Sequence, residues 1–253
     1  MNGDIGATLR EWPYDEHEGL QVRRIPGADG RPLLQMRVDL GIIQMELTGR
    51  PDGARPHGCE SLLAYKRQQT ERYREEHGWY EGFDLDRTAC TSLRQEALQY
   101  YHRRIACLTV QEYDQSIADA EHNLEILDLL KAFARGRDDW LVSEQYRPFI
   151  LSHRIQAEAL QDIQIGQINR AIRVLKQGLD QLRQVFAEQE RADEFDQSVE
   201  AAVLTDLQRK LESRFKMTRR QRLEMLLDDA LRREALDEVT DLRAQLREID
   251  PEA

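Results

Sequence analysis

From Leu179 to Asp250 the chain contains neither glycine nor proline, although fourteen glycines and seven prolines occur overall. These two residues are the strongest local breakers of regular structure, so nothing in that stretch forces a helix to stop. Most of the glycines and prolines fall instead in the first 60 residues. The asymmetry divides an irregular or β-rich beginning from a long helical remainder. Charged residues at 33% beside 40% hydrophobic residues suit helices with one buried and one wet face. The expected fold is mainly α with a small N-terminal antiparallel β-sheet (α+β).

The sheet is read from a period of two. Leu34, Met36, Val38 and Leu40 alternate with Gln35, Arg37 and Asp39, and Ile43, Met45 and Leu47 alternate with Gln44 and Glu46. The phase flips at Gly41-Ile42, which calls for a bulge or a tight turn near Asp39–Gly41 and therefore for two paired strands. Asp29-Gly30 and Asp52-Gly53 are turn dipeptides that flank the pair. A third strand around Leu20–Ile25 completes the expected sheet.

Residues 49–60 gather groups with chemical potential: Asp52, His57, Cys59 and Glu60. His57 and Cys59 are two ligands of the kind zinc accepts, but no second pair with finger spacing follows. A nucleophilic Cys59 needs a base facing it, and neighbours two apart on one chain rarely meet in that geometry. A rigid structural loop is the expectation, with a metal- or thiol-dependent enzyme centred on His57/Cys59 as an alternative. No P-loop, GxGxxG, GxSxG or HExxH pattern occurs. No catalytic residue, metal site or cofactor is assigned.

Helical patterning begins at Ser61. Gly78-Trp-Tyr-Glu-Gly-Phe83 interrupts it with an aromatic loop, expected to plug a joint between helices or to stack on a ligand. His102, His122 and His153 lack the spacing of a ligand pair and are expected to be structural. Between Ile155 and Leu179, the small residues Ala159, Gly166, Ala171 and Gly178 lie among Ile155, Ile168, Ile172 and Leu179. This spacing resembles a hairpin of the tetratricopeptide repeat (TPR) family. A weaker echo runs from Tyr100 to Leu124, with Arg104 where a small residue belongs. The resemblance implies a packed helical layer with a peptide-holding groove. Antiparallel helices without a groove fit the same residues.

The tail turns from acidic to basic, with seven Lys or Arg and one acid, Glu212, between Arg209 and Arg222. Thr218 and Gln221 have the spacing of a capping box that opens a helix. Leu223, Leu226, Leu227, Ala230 and Leu231, then Leu236, Val239, Leu242, Leu246 and Ile249, form apolar stripes suited to a helical hairpin. Ala230, Glu234, Leu236, Asp237, Leu242, Arg243 and Leu246 resemble the UVR motif, with departures at Ala235, Val239-Thr240 and Ala244. That hairpin occurs in the B and C subunits of the bacterial excision nuclease, in a Clp-type unfoldase and in an activator of a protein arginine kinase. The chain as a whole is similar to bacterial proteins that carry the motif. The resemblance implies docking against a like hairpin through Leu226, Leu227, Leu242 and Leu246, oriented by Glu234 and Arg243. The alternative is a stripe that folds back onto the helical middle.

Three segments are therefore expected: a β segment with its loop (1–60), a TPR-like helical domain (61–186), and a charged linker with the UVR-like hairpin (187–253). A net charge of −11 opposes binding to phosphate backbones or anionic membranes. The one exception is the basic run, where Arg219, Arg220 and Arg222 are candidate nucleic-acid contacts. The first residues carry neither a basic nor an apolar leader region, and three cysteines without CxxC spacing suit a reducing compartment. The expectation is a cytoplasmic, non-enzymatic adaptor or scaffold, with the TPR-like middle for one protein partner and the UVR-like tail for another or for self-association. A nucleic-acid-associated factor is the second reading.

Overall fold

A computed structural model describes residues 4–214, 218–233 and 235–249. The chain is mainly α, with one small N-terminal antiparallel sheet. A short α1 (Gly6–Glu11) precedes β1 (Val22–Pro26), β2 (Pro32–Val38) and β3 (Gly41–Glu46). Helices α2 (Leu62–His77), α3 (Arg87–Thr109), α4 (Tyr113–Phe133), α5 (Arg137–Glu144) and α6 (Arg147–Gln164) follow. Then come α7 (Ile168–Glu188), α8 (Val199–Arg214), α9 (Arg219–Arg232) and α10 (Leu236–Ile249). Among the described residues no helix is long and apolar enough to cross a membrane.

The contacts group into two compact units, Met1–Ala157 and Glu158–Ala253, with the boundary inside α6. In the first unit the strand order is β1-β2-β3. Val38 faces Gly41 across a two-residue turn, where the phase of the hydrophobic pattern flips. Leu34, Met36, Ile43, Met45 and Leu47 share one face and close on Ile105, Ala106 and Cys107 of α3. The sheet thus has no core of its own and shares a unit with the helices. The third strand lies two residues later than the expected Leu20 start. Its connection to β2 turns at Gly30, whose φ of 82° is open to glycine at no steric cost.

Local chemistry sets the helix ends. The Ser61 hydroxyl accepts from Ala64 N at 3.0 Å, and the Asp86 carboxylate accepts from Ala89 N at 2.7 Å. Gly78 ends α2 in the left-handed region, its N–H bonded to Arg74 O at 2.7 Å. The capping box is present: Gln221 N donates to Thr218 Oγ1 at 3.2 Å, and Thr218 N donates to Gln221 Oε1 at 2.9 Å.

A second core joins Leu63 of α2, Cys90 and Leu93 of α3, and Ile126 and Leu130 of α4. The aromatic loop feeds it. Phe83 meets Phe133 edge-on at 5.4 Å and Tyr80 lies 5.7 Å from Phe133, while Trp79 stays 63% exposed. In the second unit α7 buries Ala171, Ile172, Leu175, Gly178, Leu182 and Phe186. Phe186 packs edge-on against Phe195 at 5.9 Å, and Leu204 and Leu211 of α8 are buried.

Candidate partner-binding site

The second unit holds the residues that the sequence nominated for docking. Helices α9 and α10 pack on each other as a hairpin, and α9 also touches α7. Leu223, Met225, Ala230 and Val239 are buried. Arg173 of α7 reaches Asp228 of α9, with Nη1 2.7 Å from Oδ2. Both charges are partly exposed, so the pair fixes orientation more than it stabilises. A cleft of about 310 Å³ opens between these helices, lined by Lys176, Leu179, Arg183, Met225 and Leu226.

Burial separates the nominated residues. Leu226 is 42% exposed on the cleft wall, whereas Leu227, Leu242 and Leu246 are half-buried. Arg243 is exposed. Leu236 is 73% exposed, so it lies off the seam of the hairpin. Met225, which the sequence stripe omits, is buried. Leu223 and Ala230 keep the expected stripe, and Met225 adds a second buried side to α9. Glu234 and the side chain of Arg219 lie outside the described residues.

Among the described residues, three cations of the basic run meet carboxylates on their own helices. Arg209 and Lys210 both reach Asp206, each at 2.6 Å, and Arg220 Nε lies 2.8 Å from Glu224 Oε1. Arg222 is exposed. Phosphate would have to compete with these carboxylates for the same guanidinium and ammonium groups.

In the first unit His57 and Cys59 each have a partner on α2. The His57 ring stacks on Tyr65 with centroids 3.9 Å apart, and Cys59 Sγ lies 3.8 Å from Gln68 Oε1. Among the described residues no three His, Cys, Asp or Glu side chains converge as a metal site. Asp52 accepts from Ala54 N at 2.9 Å and from Gln99 at 3.0 Å, binding the loop to α3.

The most elaborate polar arrangement went unmarked in the sequence reading. It lies between α3 and α4. Arg103 grips Asp119 with two bonds of 2.9 and 2.7 Å and donates to Glu46 O at 3.0 Å. Fully buried Glu96 accepts from Leu62 N at 2.7 Å, Leu63 N at 2.9 Å and His122 Nε2 at 3.1 Å, with Arg50 Nε at 3.4 Å. His122 stacks on Tyr100 at 3.6 Å. Burial pushes the Glu96 carboxyl up, but the bonds from His122, Leu62 and Leu63 outweigh it and hold it below its ordinary range. A carboxylate that accepts three hydrogen bonds and faces a guanidinium has little lone-pair capacity left for a substrate proton. The arrangement therefore works as a staple that caps α2 and ties it to α3 and α4. Glu96, Tyr100 and Arg103 are spaced four and three apart, a polar stripe on one helix face that the sequence does contain.

Arg104 faces the other way and is 1% exposed. Its guanidinium lies 5.6 Å from the rings of both Tyr101 and Phe149, and its Nε and Nη1 make no hydrogen bond. Burial pulls this guanidinium down to about 10. Burial and the neighbouring Arg104 charge pull His153 down to about 4, which keeps the imidazole neutral. A histidine so held is a packing group.

Comparison with protein-family models, with curated proteins and with solved structures returned no match.

Proposed function

We propose that this protein is a cytoplasmic adaptor or scaffold of a bacterial cell, without catalytic activity, that grips another protein through the α9–α10 hairpin. One observation carries the reading. The hairpin buries Leu223, Met225, Ala230 and Val239, yet leaves Leu226 exposed on the wall of a cleft and Leu231 and Leu236 exposed elsewhere on its surface. Apolar side chains already packed stabilise the hairpin, and those left outside are available to a second helical surface. The resemblance to the UVR motif supports the same reading, with Leu226, Leu227, Leu242 and Leu246 as contacts and Glu234 and Arg243 setting orientation. The TPR-like spacing around Ala159, Ala171 and Gly178 supports a helical layer that holds a further partner.

The test compares the full chain with a Leu226→Glu, Arg243→Glu variant as bait in nuclease-treated lysate. Both positions are exposed, so the fold should be unaffected, which circular dichroism checks. A protein held by the native chain should be lost from the variant, corresponding to at least ~2 kcal/mol of binding energy. Identical captured sets would overturn the proposal.

A further inference from the structure

One edge of the sheet is open, and its chemistry specifies what closes it. Glu46 N donates to Pro51 O at 2.9 Å, and Glu46 O accepts from Arg103. Both backbone groups of Glu46 therefore point away from β2. In an antiparallel ladder this direction alternates with period two, so the N–H and C=O of Gln44 and Ile42 point outward as well. Among the described residues no backbone or side-chain group pairs with them. Gln44 is exposed and Ile42 half-buried. Leu40, at the tip of the same edge, is 86% exposed. A leucine that exposed, held on a rigid turn beside unpaired backbone, has no counterpart elsewhere in the sheet.

The two edges differ in their defences. On β1, Arg23 stacks over Trp12 at 4.2 Å, Arg24 pairs with Glu112, and Pro26 ends the strand. Charges and proline are the usual protections of an edge strand. From Gly41 to Met45 the β3 edge has neither.

We propose that β3 pairs antiparallel with β3 of a second copy of this chain, about a two-fold axis at Ile42. The register follows from the free stretch. With Ile42 opposite Ile42 of the other copy, Leu40 lies opposite Gln44, and the ladder needs only residues 40–44. A register centred one residue later sets Leu40 against Glu46, whose backbone groups are already occupied. No like charges meet in the chosen register. Leu40 and Ile42 gain cover on the sheet face opposite α3, and each copy supplies what the other lacks. Pairing through β1 would instead bring arginines together, so the dimer closes and does not propagate. This surface lies in the first unit and is independent of the hairpin reading.

The test is sedimentation equilibrium on the full chain over a wide concentration range. The native chain should reach twice its monomer mass. Ile42→Lys, which places like charges on the axis, should be monomeric, as should Ile42→Glu. An equimolar mixture of these two variants should recover the dimer, an outcome that misfolded chains cannot produce. Leu40→Ser, at a position too exposed to unfold the protein, should weaken the dimer. A native chain that stays monomeric at every concentration overturns the proposal. So does a dimer that survives Ile42→Lys, or one that Leu226→Glu dissolves, since the latter assigns self-association to the hairpin.

Discussion

At Glu96, burial and hydrogen bonding pull in opposite directions, and hydrogen bonding wins. The carboxylate satisfies two N–H groups at the start of α2 that its own helix leaves orphaned. Glu96→Gln should cost ~2–3 kcal/mol, the scale of hydrogen bonds to a buried charge, read as a lower denaturation midpoint. The pH dependence follows from the lowered carboxyl. The native state holds fewer protons than the unfolded one, so the stabilisation is complete above about pH 4.5 and is lost as pH falls through the lower folded value. The gap between native and variant should therefore narrow in acid. Arg104 is the converse case. Sequence reading marked it only as a misfit in a small-residue pattern, because nothing in one dimension says that Tyr101 and Phe149 close over it.

Elements show the same division. The Thr218–Gln221 box was legible because both partners lie within one helical turn. Thr218→Ala should cost ~1 kcal/mol and speed amide exchange in the first turn of α9, with no change in α7. The turn between β2 and β3 was placed correctly at Asp39–Gly41 from phase alone, yet its cause lies elsewhere. Neither Asp39 nor Leu40 has a positive φ, so this is not the type I′ turn usual in two-residue hairpins. The Arg37 guanidinium compensates. It donates to Val38 O, to Asp39 O at 3.1 Å, to Gly41 O at 2.9 Å and to Trp12 O at 2.8 Å. On α9 Leu223 and Ala230 of the expected stripe are buried, and Met225, about 200° around the helix from Leu223, is buried as well because α9 packs on α7 in addition to α10.

For the molecule as a whole, charge is the strongest constraint on partners. At −11, with Arg209, Lys210 and Arg220 of the basic run paired to Asp206 and Glu224, the surface offers little for counterion release. A fluorescently labelled DNA duplex should show no saturable anisotropy change at physiological salt. Binding that falls steeply with salt and disappears in Arg220→Glu, Arg222→Glu would instead make the run an interface.

The sequence by itself determined the helical remainder, the three-stranded sheet, the turn positions and the capping box. Each of these depends on residues within a turn or a strand of one another, where periodicity and backbone preference act directly. Tertiary structure alone decided that the sheet closes on α3, that Glu96 and Arg103 find their partners on α4, that the His57 ring stacks on Tyr65, and that the β3 edge stays open. Those outcomes depend on which faces meet across long sequence separations. Packing and the pairing of buried polar groups set them, and neither is written in local pattern.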